Sequence, residues 1–451
     1  MNTRTWHLGG LRRLSLALAL AVAVLGILLL TVATAQAVPI EPPDPVLHEW
    51  VITVGTTGTV SIIDPTTDMV YGPFLEGELG SSGGGLFDVA VTRNAETALI
   101  SNFGDSTVYF VNISNPLNPS VVASVTLPFF AEDIAIASHG RTALVTDGGF
   151  SPLIAVLDIV SPSLAYTVTL PETSAQAVDI AIDGTVLVVD YFGGSMTSLY
   201  PDASGQLTVT GVYTYLLTDE GQIAQTTDLG SLTLAGPAGI PDDPGVAGTA
   251  STAGMAGLAV AGAELVIPRA VNVAIAPDNQ TVLLPAVSPY TSTPSTPSLY
   301  SLAVYQILEP GVLTLTEVIT GLPRAVQSVA FSPDGAKAYL AGNGGLTDAM
   351  NEFNRLMVLD ITAPGVVSVD TLNAADFPRL TSSQLFGVDT IDVANGKAYV
   401  SYPVTSNASN DLRVVDLADY SVKRLDMPGV CTGVATIPVR RTYFPFIQYA
   451  E

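Results

Sequence analysis

The chain has 451 residues and is 48% hydrophobic, with 41 acidic against 16 basic side chains and a net charge of −25. That charge argues against nucleic acid and anionic lipid surfaces as partners. One cysteine, Cys431, excludes an intramolecular disulfide, and three histidines, His7, His48 and His139, leave little material for zinc sites, Ser-His-Asp triads or imidazole acid/base chemistry.

Arg4, Arg12 and Arg13 precede an apolar run from Leu14 to Ala33, and Ala35-Gln36-Ala37 offers a small-x-small cleavage site. Residues 1–37 therefore read as a secretion signal cleaved after Ala37. The run reaches the ~20 residues of a membrane span, so an uncleaved signal anchor is the alternative. Both readings place residues 38–451 outside the cytoplasmic membrane, secreted or at the cell surface, because the arginines stay inside. Cleavage removes three arginines and His7 and no acid, leaving 13 basic against 41 acidic residues and a net charge of −28. No later segment is apolar and long enough to span a membrane.

Beyond residue 46 the chain is built from short β-rich runs. Trp50 to Val54, Thr59 to Asp64 and Val70 to Leu75 come first. A cassette then recurs: Asp88-Val89-Ala90-Val91, Asp133-Ile134-Ala135-Ile136, Asp179-Ile180-Ala181-Ile182, Asn272-Val273-Ala274-Ile275, Ser328-Val329-Ala330-Phe331, Asp389-Thr390-Ile391-Asp392 and Gly433-Val434-Ala435-Thr436. The first three start 45 and 46 positions apart, the period of a four-stranded propeller blade. Most cassettes lead into a turn, such as Asp183-Gly184 or Ser332-Pro333-Asp334-Gly335, and then a second strand such as Thr97 to Ser101 or Lys337 to Leu340. Third strands end in an acid or amide suited to an Asx turn, at Asn112, Asp158, Asp360 and Asp416, and fourth strands such as Val121 to Leu127 complete each unit. These runs leave no room for crossover helices, so each unit is an antiparallel sheet.

The first three strands lack a cassette before them, and the last cassette, at Gly433 to Ile437, has nothing after it. Pairing the two ends closes a ring and removes exposed sheet edges. The expected fold is all-β: a seven-bladed propeller of four-stranded antiparallel blades, closed by the N- and C-terminal strands. One interval departs from the period. From Asp179 to Asn272 is 93 positions, and residues 217–268 are rich in Gly, Ala, Thr, Pro and Asp. They read as an insertion after the third cassette blade, or as a degenerate eighth blade, and as the first region to search for a partner surface.

The Val/Ile-rich third strand ending in Asp, the small-residue inner strand, Ser-Pro-Asp-Gly and the Tyr-Val strand resemble the YVTN-type, YncE-like propellers, on Ala325 to Leu340, Leu385 to Tyr402 and Gly85 to Asn112. Phe110 to Pro119 is similar to LVIVD-type repeats, which share the architecture. The resemblance covers most of residues 46–437 and rests on fold motifs alone. It implies a secreted or surface protein, in a superfamily that includes lactone hydrolases, and carries over no catalytic residue.

One constellation points to chemistry. Asp88, Asp133, Asp179 and Asp389 begin four inner strands, so that rotation about the channel places their carboxylates on one circle. Such a ring favours a bound divalent cation such as Ca²⁺, or raised carboxyl pKa values. The competing reading is that each acid accepts backbone hydrogen bonds from the loops of its own blade. Phosphate loops, nucleophile elbows, His-Glu-x-x-His and EF-hand loops are absent from the sequence, so no catalytic residue and no resident cofactor is assigned. The tail, 440–451, reads as an added edge strand or a surface-attachment signal. The favoured function is a non-catalytic binding module for an unidentified protein, glycan or envelope component. The alternative is a lactonase-like hydrolase with a carboxylate-lined channel.

Overall fold

The computed structural model describes residues 48–80, 85–148, 151–191, 193–218, 223–228, 265–266, 269–287, 300–323, 325–343, 354–377, 390–401 and 411–439. Asp389, residues 1–37, the tail 440–451 and most of 217–268 lie outside them. The described residues contain strands and turns and no helix, and hence none long and apolar enough to cross a membrane.

Seven antiparallel sheets follow one another along the chain. Blade 1 holds Trp50–Gly55, Thr59–Asp64 and Met69–Phe74; its fourth, innermost strand is Cys431–Ile437 from the other end of the chain. Blade 2 (Leu86–Val91, Thr97–Asn102, Thr107–Asn112, Ser120–Thr126) and blade 3 (Ile134–Ile136, Thr142–Thr146, Leu153–Asp158, Ser163–Thr169) are simple four-stranded meanders. Blades 6 and 7, from Ala325–Phe331 to Val366–Phe377 and from Ile391–Ala394 to Val422–Asp426, repeat the pattern. The expected seven-bladed, end-closed all-β ring is the observed architecture.

Two blades are larger than four strands. In blade 4, which the third cassette opens, the strand Leu207–Thr218 overruns its neighbour and pairs with Ile223–Asp228 and Leu265–Val266. The described part of 217–268 thus extends the outer edge of blade 4 and forms no separate sheet. In blade 5 the inner position is split, Arg269–Ala270 and Ala274–Ile275 both pairing with Thr281–Val287.

Burial explains the sequence pattern. Second and third strands are covered on both faces by neighbouring blades, so Thr59–Asp64 and Val186–Asp190 are buried at every position. Outer strands alternate, as in Ser120–Thr126, because one face meets solvent. The apolar side chains fall into seven clusters, one between each pair of consecutive blades. The cluster that joins blade 7 to blade 1 contains Tyr399, Leu412 and Val414 with Val51, Ile63, Cys431 and Val434. Cys431 is a buried small hydrophobe there, 3% exposed. Its neighbour Gly433 is required by close approach: a Cβ would meet Val54 Cγ2 at 2.8 Å and the Asp88 Cα at 3.1 Å.

Five strand-end acceptors form Asx turns, three of them among the four expected. The Asn112, Asp64, Asp158, Asp202 and Asp416 side chains each accept the N–H two residues on, at 2.8 to 2.9 Å. Asp360 is the exception, because its strand runs through to Ala363, and it accepts instead from Lys337 Nζ at 2.7 Å.

Candidate functional site

Antiparallel order fixes which connections share a face. Inner strands begin, second strands end, third strands begin and outer strands end at one side of the ring, here called the entry face. The opposite face carries short turns such as 92–96, 137–141, 276–280 and 332–336. The described strands before and after 288–299, 344–353, 378–389 and 402–410 end and resume at the entry face. In blades 2 and 3 the entry-face connections are short, and the strand ends themselves form the surface.

Asp88, Asp133 and Asp179 stand at inner strands and are bonded across blade junctions. Asp88 Oδ2 accepts the Ile134 N–H at 3.0 Å and Asp133 Oδ2 accepts that of Val178 at 2.7 Å. Asp179 accepts Ile275 N–H at 2.7 Å with one oxygen and its neighbour Ile180 N–H at 2.7 Å with the other. These acceptors serve the next blade's inner strand, and not, as the alternative reading had it, the loops of their own blade. Every junction has such a latch: Asn272 Nδ2 donates to Gln327 O, Ser328 Oγ accepts from Ile391 N, Asp392 Oδ2 accepts from Thr436 N, and Thr432 Oγ1 donates to Leu86 O. A second layer lies above it. Ser101, Thr146 and Ser401 lie within the last two residues of their second strands and donate to the carbonyls of Glu132, Gln176 and Thr432 in the following blade.

Among the described acids, Asp88 and Asp133 hold equivalent places and Asp179 does not. Glu132 N–H bonds Thr146 O and Gln176 N–H bonds Val189 O, so Asp133 is equivalent to Ala177, and Asp179 lies two residues deeper. Thr390, not Asp392, holds the place of Asp133, since Ser401 N–H bonds Thr390 O as Thr146 N–H bonds Asp133 O. Asp389 lies outside the described residues. Asp88 and Asp133 are brought together. Burial first, then the Asp88 charge and side-chain contact, pushes the Asp133 carboxyl well above the usual carboxylate range, and burial raises Asp88 as well. Burial also lifts Asp179 to about 6, against its two backbone bonds, and raises Asp392. Among the described residues no three His, Cys, Asp or Glu side chains converge closely enough to hold a metal ion.

A second acidic group sits in blade 4. Burial carries Glu172 to about 8, opposed by the neighbouring Thr197 and assisted by the Asp190 charge. Ser195 Oγ donates to Glu172 Oε1 at 2.9 Å, whereas Glu172 Oε2 is buried without a hydrogen bond.

The sequence reading missed an aromatic surface at the same face. Phe103 and Phe130 stack with ring centroids 4.8 Å apart and planes at 17°, and Phe87 joins Phe103 at 6.2 Å. Phe87 and Phe130 are 37% and 45% exposed. The signal was present: large apolar side chains in short connections otherwise made of Gly, Asp and Pro.

No family model matches this chain, and no curated protein does. Solved structures do. A protein of unknown function from Desulfotomaculum acetoxidans DSM 771 is similar over 86% of this chain and 98% of its own, at 14% identity and a TM-score of 0.57. A protein from Lactobacillus plantarum is similar over 86% and 99%, at 14% identity and a TM-score of 0.54. At that identity the likeness is one of fold, that of a β-propeller.

Proposed function

We propose that the protein is a non-catalytic, extracytoplasmic propeller that docks a protein, glycan or other envelope component through its entry face. The observation that carries this reading is the asymmetry between faces: the described turns of the opposite face are short, and the strand ends separated by the longest stretches of sequence lie at the entry face. The solvent-facing phenylalanines at that same face support it. The reading takes residues 1–37 as an export leader, and the strand signatures resemble those of the YVTN-type, YncE-like and LVIVD-repeat propellers. Asp88, Asp133, Asp179 and Asp392 fit a structural duty, since each already accepts a main-chain N–H.

A bulky polyethylene glycol attached at one introduced surface cysteine tests the face directly, the native Cys431 being buried. Gly104→Cys places it in the exposed entry-face turn 103–106, and Asn94→Cys places it in the exposed opposite turn. Release from isolated envelopes is expected only for the Gly104 adduct. Release of the Asn94 adduct alone contradicts the reading.

A further inference from the structure

The segment that carries the chain from blade 3 to blade 4 at the entry face keeps the plan of the preceding crossing and changes its chemistry. Leu127-Pro128-Phe129-Phe130 leads into blade 3, and Leu170-Pro171-Glu172-Thr173 leads into blade 4. The Phe130 N–H bonds Asp147 Oδ1 at 3.0 Å and the Thr173 N–H bonds Asp190 Oδ2 at 3.1 Å, so Phe129 and Glu172 hold the same place. Phe129 plugs the apolar cluster between blades 2 and 3, together with Leu153 and Ala155 of a third strand. In the next junction the register puts Ser195 and Thr197 where Leu153 and Ala155 stand. An acid and two hydroxyls thus replace three apolar side chains, while Leu170, Val188 and Leu199 keep the interior of the junction apolar.

Hydrogen bonding does not complete the exchange. Ser195 Oγ donates to Glu172 Oε1 at 2.9 Å, but Oε2 and the neighbouring Thr197 hydroxyl are both buried with no hydrogen bond closed, Thr197 being 0% exposed. Asp190, at the end of the second strand, adds a like charge, and its own oxygens are taken by Thr173 and Ser174 of the crossing. From blade 3, the connection bearing Asp147 meets the crossing where the Ala175 N–H bonds Ser151 O, and Asp147 is held there by Ser151 Oγ and the Phe130 N–H. Gln176, at the end of the crossing, donates to Glu132 Oε1. Chiefly through burial, the Glu172 carboxyl titrates at about 8. As the neutral acid it suits the place of a plug. As the anion it has one unsolvated oxygen, a like charge beside it and a short way to water, since Pro171 and Thr173 on either side are exposed.

We propose that Glu172 is a pH-operated catch: as the acid it holds the crossing 171–176 in the junction, and as the carboxylate it leaves for solvent and frees that segment at the entry face. The catch stands on its own geometry. Only its consequence for a bound partner, a change in the surface that the entry face presents, rests on the docking face proposed above.

Hydrogen exchange of the full mature chain, read by mass spectrometry at pH 6 and pH 8 and corrected for the intrinsic rate, tests the catch. The reporters are the amides of Thr173, Ala175 and Gln176, bonded to Asp190, Ser151 and Val189. Their protection in the wild type should fall at least about tenfold from pH 6 to pH 8, ahead of the buried strand Val186–Asp190, whose exchange marks opening of the whole blade. Glu172→Gln keeps the shape without the charge and should hold its protection within about threefold. Glu172→Met, uncharged and of like length, carries the same expectation and serves if the Gln variant does not fold. Constant protection of 171–176 in the wild type overturns the catch, as does an equal fall in a folded variant or a fall shared equally with Val186–Asp190. The docking face stands or falls on the Gly104 and Asn94 adducts, so the two failures are told apart.

Discussion

Trp50 pairs with Ile437 across the closure of the ring, and the register continues through Thr53 opposite Val434. The two ends of the chain therefore complete one sheet, and stability depends on a contact between residues nearly the full sequence apart. Thr53→Cys/Val434→Cys should form a disulfide on mild oxidation and raise the midpoint of thermal unfolding, by at most about 6 kcal/mol of chain entropy for so long a loop. Failure of the pair to oxidise in folded protein contradicts the closure.

The latches predict a difference between two substitutions at one position. Asp179→Ala leaves the N–H groups of Ile180 and Ile275 without their acceptor and should cost about 2 kcal/mol or more in denaturant unfolding. Asp179→Asn keeps a carbonyl acceptor and resembles the protonated acid, so at pH 5 it should cost less than half as much. Equal losses would mean that the side chain fills space and does not join the blades.

Stability should fall as pH rises. A carboxyl whose pKa is raised by folding holds more protons folded than unfolded, so its stabilisation is complete below the unfolded value and is lost as pH climbs through the folded one. Asp179 shifts to about 6 and Glu172 to about 8, with Asp88, Asp133 and Asp392 moved in the same direction. Between pH 4 and 8 the slope should be about 1.4 kcal/mol per pH unit for each group in its range. Glu172→Gln should remove its part, most visibly from pH 5 to 8. A stability that rises over this range contradicts the assigned protonation.

Asp88 and Asp133 each already accept a main-chain N–H across a blade junction, which predicts that Ca²⁺ leaves the unfolding temperature unchanged at pH 6. A Ca²⁺-dependent increase abolished by Asp88→Asn would assign the pair to a cation site, as the sequence pattern first suggested.

Export with cleavage predicts Val38 as the first residue of the extracytoplasmic protein. Amino-terminal sequencing checks it; an intact leader in the membrane fraction would show an anchor instead.

The architecture was legible because blade packing imposes itself on every repeat: strands buried on both faces must be apolar throughout, and the turns between them need Gly, Asn, Asp or Pro. The unpaired strand set at Trp50 and the spare cassette at Gly433 even revealed the closure. The acids were harder. Asp88, Asp133 and Asp179 sit in identical cassettes, yet Asp179 lies two residues deeper because its pairing partner, Val186–Asp190, sets the register. Sequence also hides the partner of each carboxylate, an N–H in the next blade whose position depends on how two sheets pack. The aromatic surface escaped for a similar reason: Phe87, Phe103 and Phe130 are separated in sequence and meet only after two blades stack.

The most direct measurement is hydrogen exchange, read by mass spectrometry, on the protein free and bound to isolated envelopes. Docking at the entry face predicts protection at 103–106 and 127–133, with the turns 92–96, 137–141 and 181–185 exchanging at the same rate in both states. Protection confined to those turns would place the partner on the wrong side of the ring and contradict the account.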